Sequence, residues 1–294
     1  MKKTLCVLTS LAVCLSFAGS IFAEEPAKIK LLIIDGQNNH NWKATTPVLK
    51  DIYEKSGRFV VDVATSPEKG RDMSGFKPEF SKYEALVMNY NGDVWAKETK
   101  DAFEKYVSDG GGLVSYHAGD NPFRDWKEYN EMIAIGGWGG RNEKDGPYLY
   151  VKNGEVVRDT TPGHGGHHGP QVEFLVETFA PEHPIMKGLP KAFLHCKDEL
   201  YCKLRGPAKN VDILGTAFAK VNEGGTGNDE PMLMAITYGK GRVFHTTLGH
   251  DVPQCKCVGF QTTLLRGSEW AATGNVTIPC PEDYPTEDKI SVRP

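Results

Sequence analysis

Nine histidines are spread through the 294 residues, and three of them follow segments that read as β-strands. His40 comes shortly after the apolar run ending at Ile34. His117 follows Leu113 to Tyr116, and His250 follows Arg242 to Leu248. In open parallel sheets, ligands bind beyond the carboxyl ends of the strands. Neutral imidazole is a common ligand for zinc and related metals. Three imidazoles from separate loops could hold one ion and leave a position open for water or a substrate oxygen. Such an ion would polarise a carbonyl or lower the pKa of bound water. Without a metal, the same histidines could act as general acid and base near neutral pH. Three more histidines, His164, His167 and His168, lie in the glycine-rich loop Gly163 to Gly169. His168 stands nearest the strand that starts at Val172. With His117 and His250 it makes the candidate ligand set for a divalent ion, zinc above others. His183, before Pro184, reads as a turn residue. His245, between Phe244 and Thr246 inside a strand, reads as core.

The loops around these histidines carry Asp35 to Trp42, Asn89 to Asp93, and His117 to Asp120. They combine hydrogen-bonding side chains with aromatic ones. That mixture suits a sugar, whose C–H faces pack on aromatic rings while its hydroxyls pair with Asn, Asp and His. Candidate substrate contacts are His40, Trp42, Asn89 and Asn91. Trp126 and Tyr129, three apart on a short helix after His117, join them as a stacking pair. Asn, Asp and Gly are also the ordinary residues of turns, and tryptophan is common in cores. Composition alone therefore does not decide between these readings.

The elements that must position these loops alternate. Strands are expected at 30–34, 58–63, 83–89 and 113–116, with amphipathic helices at 45–56 and 98–108. Apolar residues recur at helical spacing in the helices, at Val48, Leu49, Ile52 and Tyr53 and at Ala102, Phe103, Tyr106 and Val107. This order predicts an α/β domain with a parallel sheet and helices on both faces. Later strands are expected at 148–151, 156–157, 172–178, 211–218, 232–238 and 242–248, and a last helix at 259–272. Residues 279–294 hold four prolines and several charges and read as an exposed tail.

Six segments, in order, carry a resemblance: Gly110-Gly-Gly-Leu-Val-Ser-Tyr-His-Ala118, Phe123 to Tyr129, His183-Pro-Ile-Met-Lys-Gly-Leu-Pro190, Asp198-Glu-Leu-Tyr201, Tyr238 to Phe244, and Thr247-Leu-Gly-His-Asp251. Together they resemble the ThuA-like (trehalose utilisation) family, from about residue 28 to 272. The resemblance implies a class I glutamine amidotransferase-like (flavodoxin-like) fold, a three-layer sandwich with a mainly parallel central sheet. In that fold a nucleophilic cysteine sits at the turn after a central strand. Here that turn begins at His117, and no cysteine occurs between Lys28 and His195. Imidazole cannot supply that thiolate chemistry, so glutaminase activity is not expected. His250-Asp251 resembles the histidine and acid of the amidotransferase triad. The resemblance therefore implies His117, His250, Glu199 and Asp251 as catalytic candidates, with Tyr201 beside the substrate. Glu199 could equally form a structural hydrogen bond to a loop. The implied function is a carbohydrate-processing enzyme acting on sugars or keto-sugar glycosides by hydrolysis, elimination or isomerisation. The alternative is a non-catalytic sugar-binding protein on the same fold.

Composition narrows the setting. Lys2-Lys3, the apolar run Leu5 to Phe17 and the small residue Ala23 have the order of a secretory signal. The expected division is a signal at 1–23, a domain at 24–278 and a tail at 279–294, in a periplasmic or secreted protein without a membrane span after cleavage. The net charge of −4 and the absence of basic runs argue against nucleic acid as a partner. A small carbohydrate is the expected partner, no nucleotide cofactor is expected, and nothing sets an oligomeric state. Five cysteines follow residue 23: Cys196, Cys202, Cys255, Cys257 and Cys280. In an oxidising compartment they are expected in disulfides, ahead of a cysteine metal site, because no CxxC pair is present.

Overall fold

The computed structural model describes residues 27–293, so the expected signal at 1–23 lies outside the described residues. Successive side chains of a strand point to opposite faces, and β1 (Ile29–Asp35) shows why its sequence is apolar throughout. Leu31 and Ile33 enter one hydrophobic cluster, and Leu32 and Ile34 enter another. A strand covered on both faces needs no polar alternation. The same holds for β3 (Ala85–Met88) and β4 (Gly112–Tyr116), buried along their length. Helices α1 (Trp42–Lys55) and α5 (Val258–Thr273) supply Leu49, Tyr53, Phe260 and Leu264 to the first cluster. Helices α2 (Lys97–Ser108) and α3 (Lys127–Ile133) supply Phe103, Val107, Tyr129 and Met132 to the second.

The remaining elements are β2 (Phe59–Thr65), β5 (Tyr148–Lys152), β6 (Glu155–Asp159), β7 (Val172–Thr178), β8 (Ala192–Asp198), β9 (Val211–Phe218), β10 (Asp229–Tyr238), β11 (Gly241–Thr246) and the one-turn α4 (Val252–Cys255). The sheet runs β2-β1-β3-β4-β11-β10-β9-β7-β8, with β5 paired to β10 and β6 to β5. Only β2, β1, β3, β4 and β11 pair in parallel. Every other pairing is antiparallel. The sheet is therefore mixed, which corrects the expectation of a mainly parallel one. The physical reason lies in the connections. Parallel neighbours need a crossover of a dozen or more residues, whereas a two-residue link forces an antiparallel hairpin. β10 and β11 are joined by Gly239-Lys240 alone, with Gly239 at φ +58°. Strand β8 went unrecognised because a polar Lys197 and a half-buried Leu194 blur its pattern.

Residues 279–293 lie against the body instead of forming a free tail. The Leu194 amide donates to the Thr286 carbonyl, and the Val258 amide to that of Ser291. Arg293 bonds both Asp283 and Gln261. The five cysteines are free thiols, which corrects the expected disulfides; four of them are buried inside the protein. Among the described residues no helix is long and apolar enough to cross a membrane.

Helix α5 crosses the sheet closely at Gly267, where an added Cβ would lie 2.2 Å from the buried Phe244 ring. Overpacking of this kind costs about 1–3 kcal/mol. Gly267→Ala is therefore expected to lower the thermal unfolding midpoint by several degrees, as followed by circular dichroism.

Candidate active site

Antiparallel steps taken in pairs restore strand direction. β9 and β8 therefore point the same way as β4 and β11, and the carboxyl ends of β1, β4, β8 and β11 share one edge. The far end of the sheet also meets α4 and α5: Gln254 Nε2 donates to the Lys197 carbonyl at 2.5 Å. These two features bring the loop after β8 to the loops after β4 and β11.

His117 opens the turn after β4 with φ +43°, in the left-handed region that costs a non-glycine residue about 1–3 kcal/mol. Its neighbour Gly119 sits so close to β3 that a Cβ would lie 2.6 Å from the Met88 carbonyl oxygen. The ring of His117 is held at both nitrogens. Nδ1 lies 2.7 Å from the Thr247 carbonyl, which can only accept, so Nδ1 carries the proton. Nε2 then presents its lone pair and receives the Tyr201 hydroxyl at 2.9 Å. Burial, countered in part by Asp198, lowers the His117 pKa to about 3. Burial likewise lowers His40 to about 4, and the nearby His250 adds to the effect. Both rings are neutral at neutral pH.

Around this elbow His40, His117, Glu199 and His250 offer ligand atoms that all lie within 4.8 Å of one another. The His40 ring centre is 4.7 Å from that of His117 and 4.6 Å from that of His250. Glu199 Oε1 lies 3.2 Å from His250 Nε2, and Oε2 lies 3.8 Å from His117 Nε2. Burial raises the Glu199 pKa, although His250 and His168 oppose the shift. Gln171 Nε2 lies 3.2 Å from His250 Nδ1. Trp138 packs edge-on against Tyr201, with ring centres 4.6 Å apart.

One buried carboxylate organises the group. Asp198 is fully buried at the end of β8. Its Oδ1 accepts the amide of Glu199 at 2.8 Å and that of His250 at 3.3 Å. Its Oδ2 accepts the amide of Gly249 at 2.8 Å and pairs with His195 Nε2 at 2.8 Å. Burial pushes the Asp198 carboxyl up, but the His195 hydrogen bond and charge outweigh it, and its pKa falls below the usual value. The carboxylate thus ties the backbone of Glu199 to that of His250.

The structure brings His117, His250, Glu199 and Tyr201 together, and adds His40 to His117, Glu199 and His250 as a group that could hold a metal ion. It corrects the place given to His168. That ring turns Nδ1 to the Gly169 carbonyl at 2.7 Å, and its Nε2 stands 3.7 Å from Glu199, outside the four-residue cluster. Trp126 and Tyr129 do not reach the site. They stack on each other in the second core with Phe103 and Phe123, where a sugar has no access. Asn89 is buried, and its amide donates to Thr45 and Thr46, so it braces the start of α1. Asp251 accepts the Val252 amide at 2.7 Å in a capping box with Gln254, and caps α4. Trp42 and Asn91 line a cavity of about 470 Å³ next to His40, together with Asn38, Asn39 and Asp93. His245 is core, as expected, and bonds Asp120 and the Ile133 carbonyl. Asp198 and Gln171 were not singled out from sequence. The signal for Asp198 was its place beside Glu199 at a strand end, where alternation turns one side chain inward and the next toward the pocket.

Residues 30–271 match the sequence family described as ThuA, trehalose utilisation. A ThuA-like protein from Parabacteroides merdae is 50% identical, covering 91% of this chain and 98% of its own, with a TM-score of 0.89. A ThuA-like protein from Bacteroides uniformis is 22% identical over 89% of this chain and 98% of its own, with a TM-score of 0.60, and shows the same fold. No curated protein matches the chain.

The buried neutral histidines set a pH dependence of stability. His40 and His117 titrate near 4 and 3 in the folded chain, against an unperturbed value of 6.5. Below about pH 6.5 the unfolded state takes up protons that the folded state refuses, so stability falls with pH. The contribution is intact above pH 6.5 and is lost as pH drops toward 4 and then 3. Urea unfolding of chelator-treated protein is expected to lose ~1 kcal/mol per pH unit per histidine across that window. His117→Ala is expected to flatten the slope.

Proposed function

The chain belongs to the ThuA, trehalose utilisation, family, and from that premise we propose that it processes a sugar at a metal-assisted His/Glu centre. The family supports a sugar-related role. The observation that carries the finer reading is the convergence of His40, His117, Glu199 and His250, from four separate loops, on one point. The donor set fits a divalent ion. Two of the imidazoles are held neutral by burial. His117 presents an unprotonated Nε2, because its proton stays on Nδ1, which donates to the Thr247 carbonyl. Such a carbonyl partner on the far nitrogen is the usual orienting contact of a metal-binding histidine. A set of three imidazoles and a carboxylate suits zinc. The three imidazoles would hold the ion once the Tyr201 hydroxyl releases its hydrogen bond to His117 Nε2, and the bound ion would supply Lewis acidity at a sugar oxygen.

The chain's own residues supply the rest. Glu199, with its pKa raised by burial, is placed to take a proton from the substrate and return it. Proton abstraction beside a sugar carbonyl, elimination, or activation of water for hydrolysis all need such a carboxylate. Burial holds the Tyr201 hydroxyl well above its ordinary pKa, so it remains a donor. Trp138 offers an aromatic face beside it, and the cavity at Trp42 and Asn91 extends the site for further hydroxyls. The amino-terminal sequence adds export to this reading, as a protein of the periplasm or medium.

Elemental analysis of untagged protein tests the metal. His117→Ala/His250→Ala is expected to lose one equivalent of divalent ion relative to wild type. Glu199→Gln is expected to keep sugar binding and to lose turnover of a keto-sugar glycoside panel by about 100-fold or more. Sugar binding without any product in wild type would instead mark a binding protein. Unchanged turnover in both variants would overturn the proposal.

A further inference from the structure

Behind the pocket, on the other side of Asp198, three buried side chains of metal-binding type face one another. His195 and Cys196 come from β8, and Cys257 immediately precedes α5. Their ligand atoms lie within 4.8 Å of one another. His195 and Cys257 are fully buried, and Cys196 is 8% exposed. The His195 ring supplies a second, independent sign. Its Nε2 is fixed on Asp198 at 2.8 Å, while Nδ1 is buried, makes no hydrogen bond of ordinary length and turns to the Cys257 sulfur, the donor it would share an ion with. A buried nitrogen without a partner is costly unless something else occupies its lone pair.

We propose that His195, Cys196 and Cys257 form a second metal site, for one thiophilic d10 ion, Zn(II) or Cu(I). Two sulfurs and one imidazole are soft donors that select these ions over magnesium, calcium or manganese. The amino terminus of the 16-residue α5 favours thiolate at Cys257. Two thiolates balance the charge of Zn(II) in a dry interior, while a three-donor site with soft ligands suits Cu(I). Asp198 is the carboxylate that orients the histidine, the arrangement expected behind a ligating imidazole. The same carboxylate holds the backbone of Glu199 and His250. An ion at the thiol site would therefore stiffen the pocket from behind, as a structural centre separate from the His/Glu cluster.

Cobalt(II) titration of the reduced, chelator-stripped full chain under anaerobic conditions tests this, because only thiolate ligands give an intense near-ultraviolet charge-transfer band. The band is expected to saturate at one equivalent and to persist in His117→Ala/His250→Ala. It is also expected to persist in Cys280→Ser, a thiol outside the cluster. It should vanish in Cys196→Ser and in Cys257→Ser. Zn(II) displacing the cobalt at one equivalent would assign zinc; Cu(I) competing at lower concentration would assign copper. A wild-type protein that shows no charge-transfer band while Cys196 and Cys257 remain reduced would overturn the site. So would a Cys196–Cys257 disulfide in protein purified without reductant, combined with no binding of either ion after reduction. A failed sugar assay leaves this test unaffected, because the band reports sulfur ligation alone.

Discussion

The arrangement depends on a single buried anion. Asp198 accepts three backbone amides and pairs with His195 without contact with water. A buried charge is tolerable only when its hydrogen bonds are made, and removing one partner of such a group costs several kcal/mol. Each of its partners is therefore held in place. Two of them are the backbone amides of Glu199 and His250, whose side chains approach each other across the pocket to 3.2 Å, Oε1 to Nε2. The carboxylate makes one rigid unit of two loops that are 50 residues apart in the chain.

The mixed sheet serves this unit better than a uniform one. Its parallel half delivers His40 and His117 on the loops that follow β1 and β4. Its antiparallel half turns back on itself and brings β8 to the same edge, against α4 and α5. The elbow at His117 stores backbone strain at the position where the resembled fold carries its nucleophile. The imidazole there is fixed at both nitrogens, by the Thr247 carbonyl and the Tyr201 hydroxyl.

Much of this was legible in the chain before its coordinates. Apolar runs ending in polar loops located His40, His117 and His250, because a strand buried on both faces must end abruptly where it meets solvent. The order of short segments around residues 110–251 named the family. Four features escaped. The Gly239-Lys240 link was read as one more loop, although two residues can join only antiparallel strands. Trp126 and Tyr129 share a helical face, but periodicity does not say whether that face meets a ligand or the core, and here it meets Phe103 and Phe123. His168 and His40 were ranked by nearness to strands, whereas ring direction, set by contacts such as the Gly169 carbonyl, decided which joined the cluster. Asp198 was marked only by its place beside Glu199, and its contacts to Gly249 and His250, far away in sequence, could not be read from that.

The most direct test of the account is the zinc affinity of the histidine site in Asp198→Asn, measured by chelator competition in a Cys257→Ser background so that only the front site reports. The amide keeps the shape of the side chain and removes the charge that ties Glu199 to His250. The account predicts affinity about 10–100-fold weaker than in the Cys257→Ser parent, the usual loss when an outer-shell partner is removed, with the far-ultraviolet spectrum preserved. Equal affinity in the two folded proteins would show that the pocket holds its geometry without Asp198, and would contradict the account.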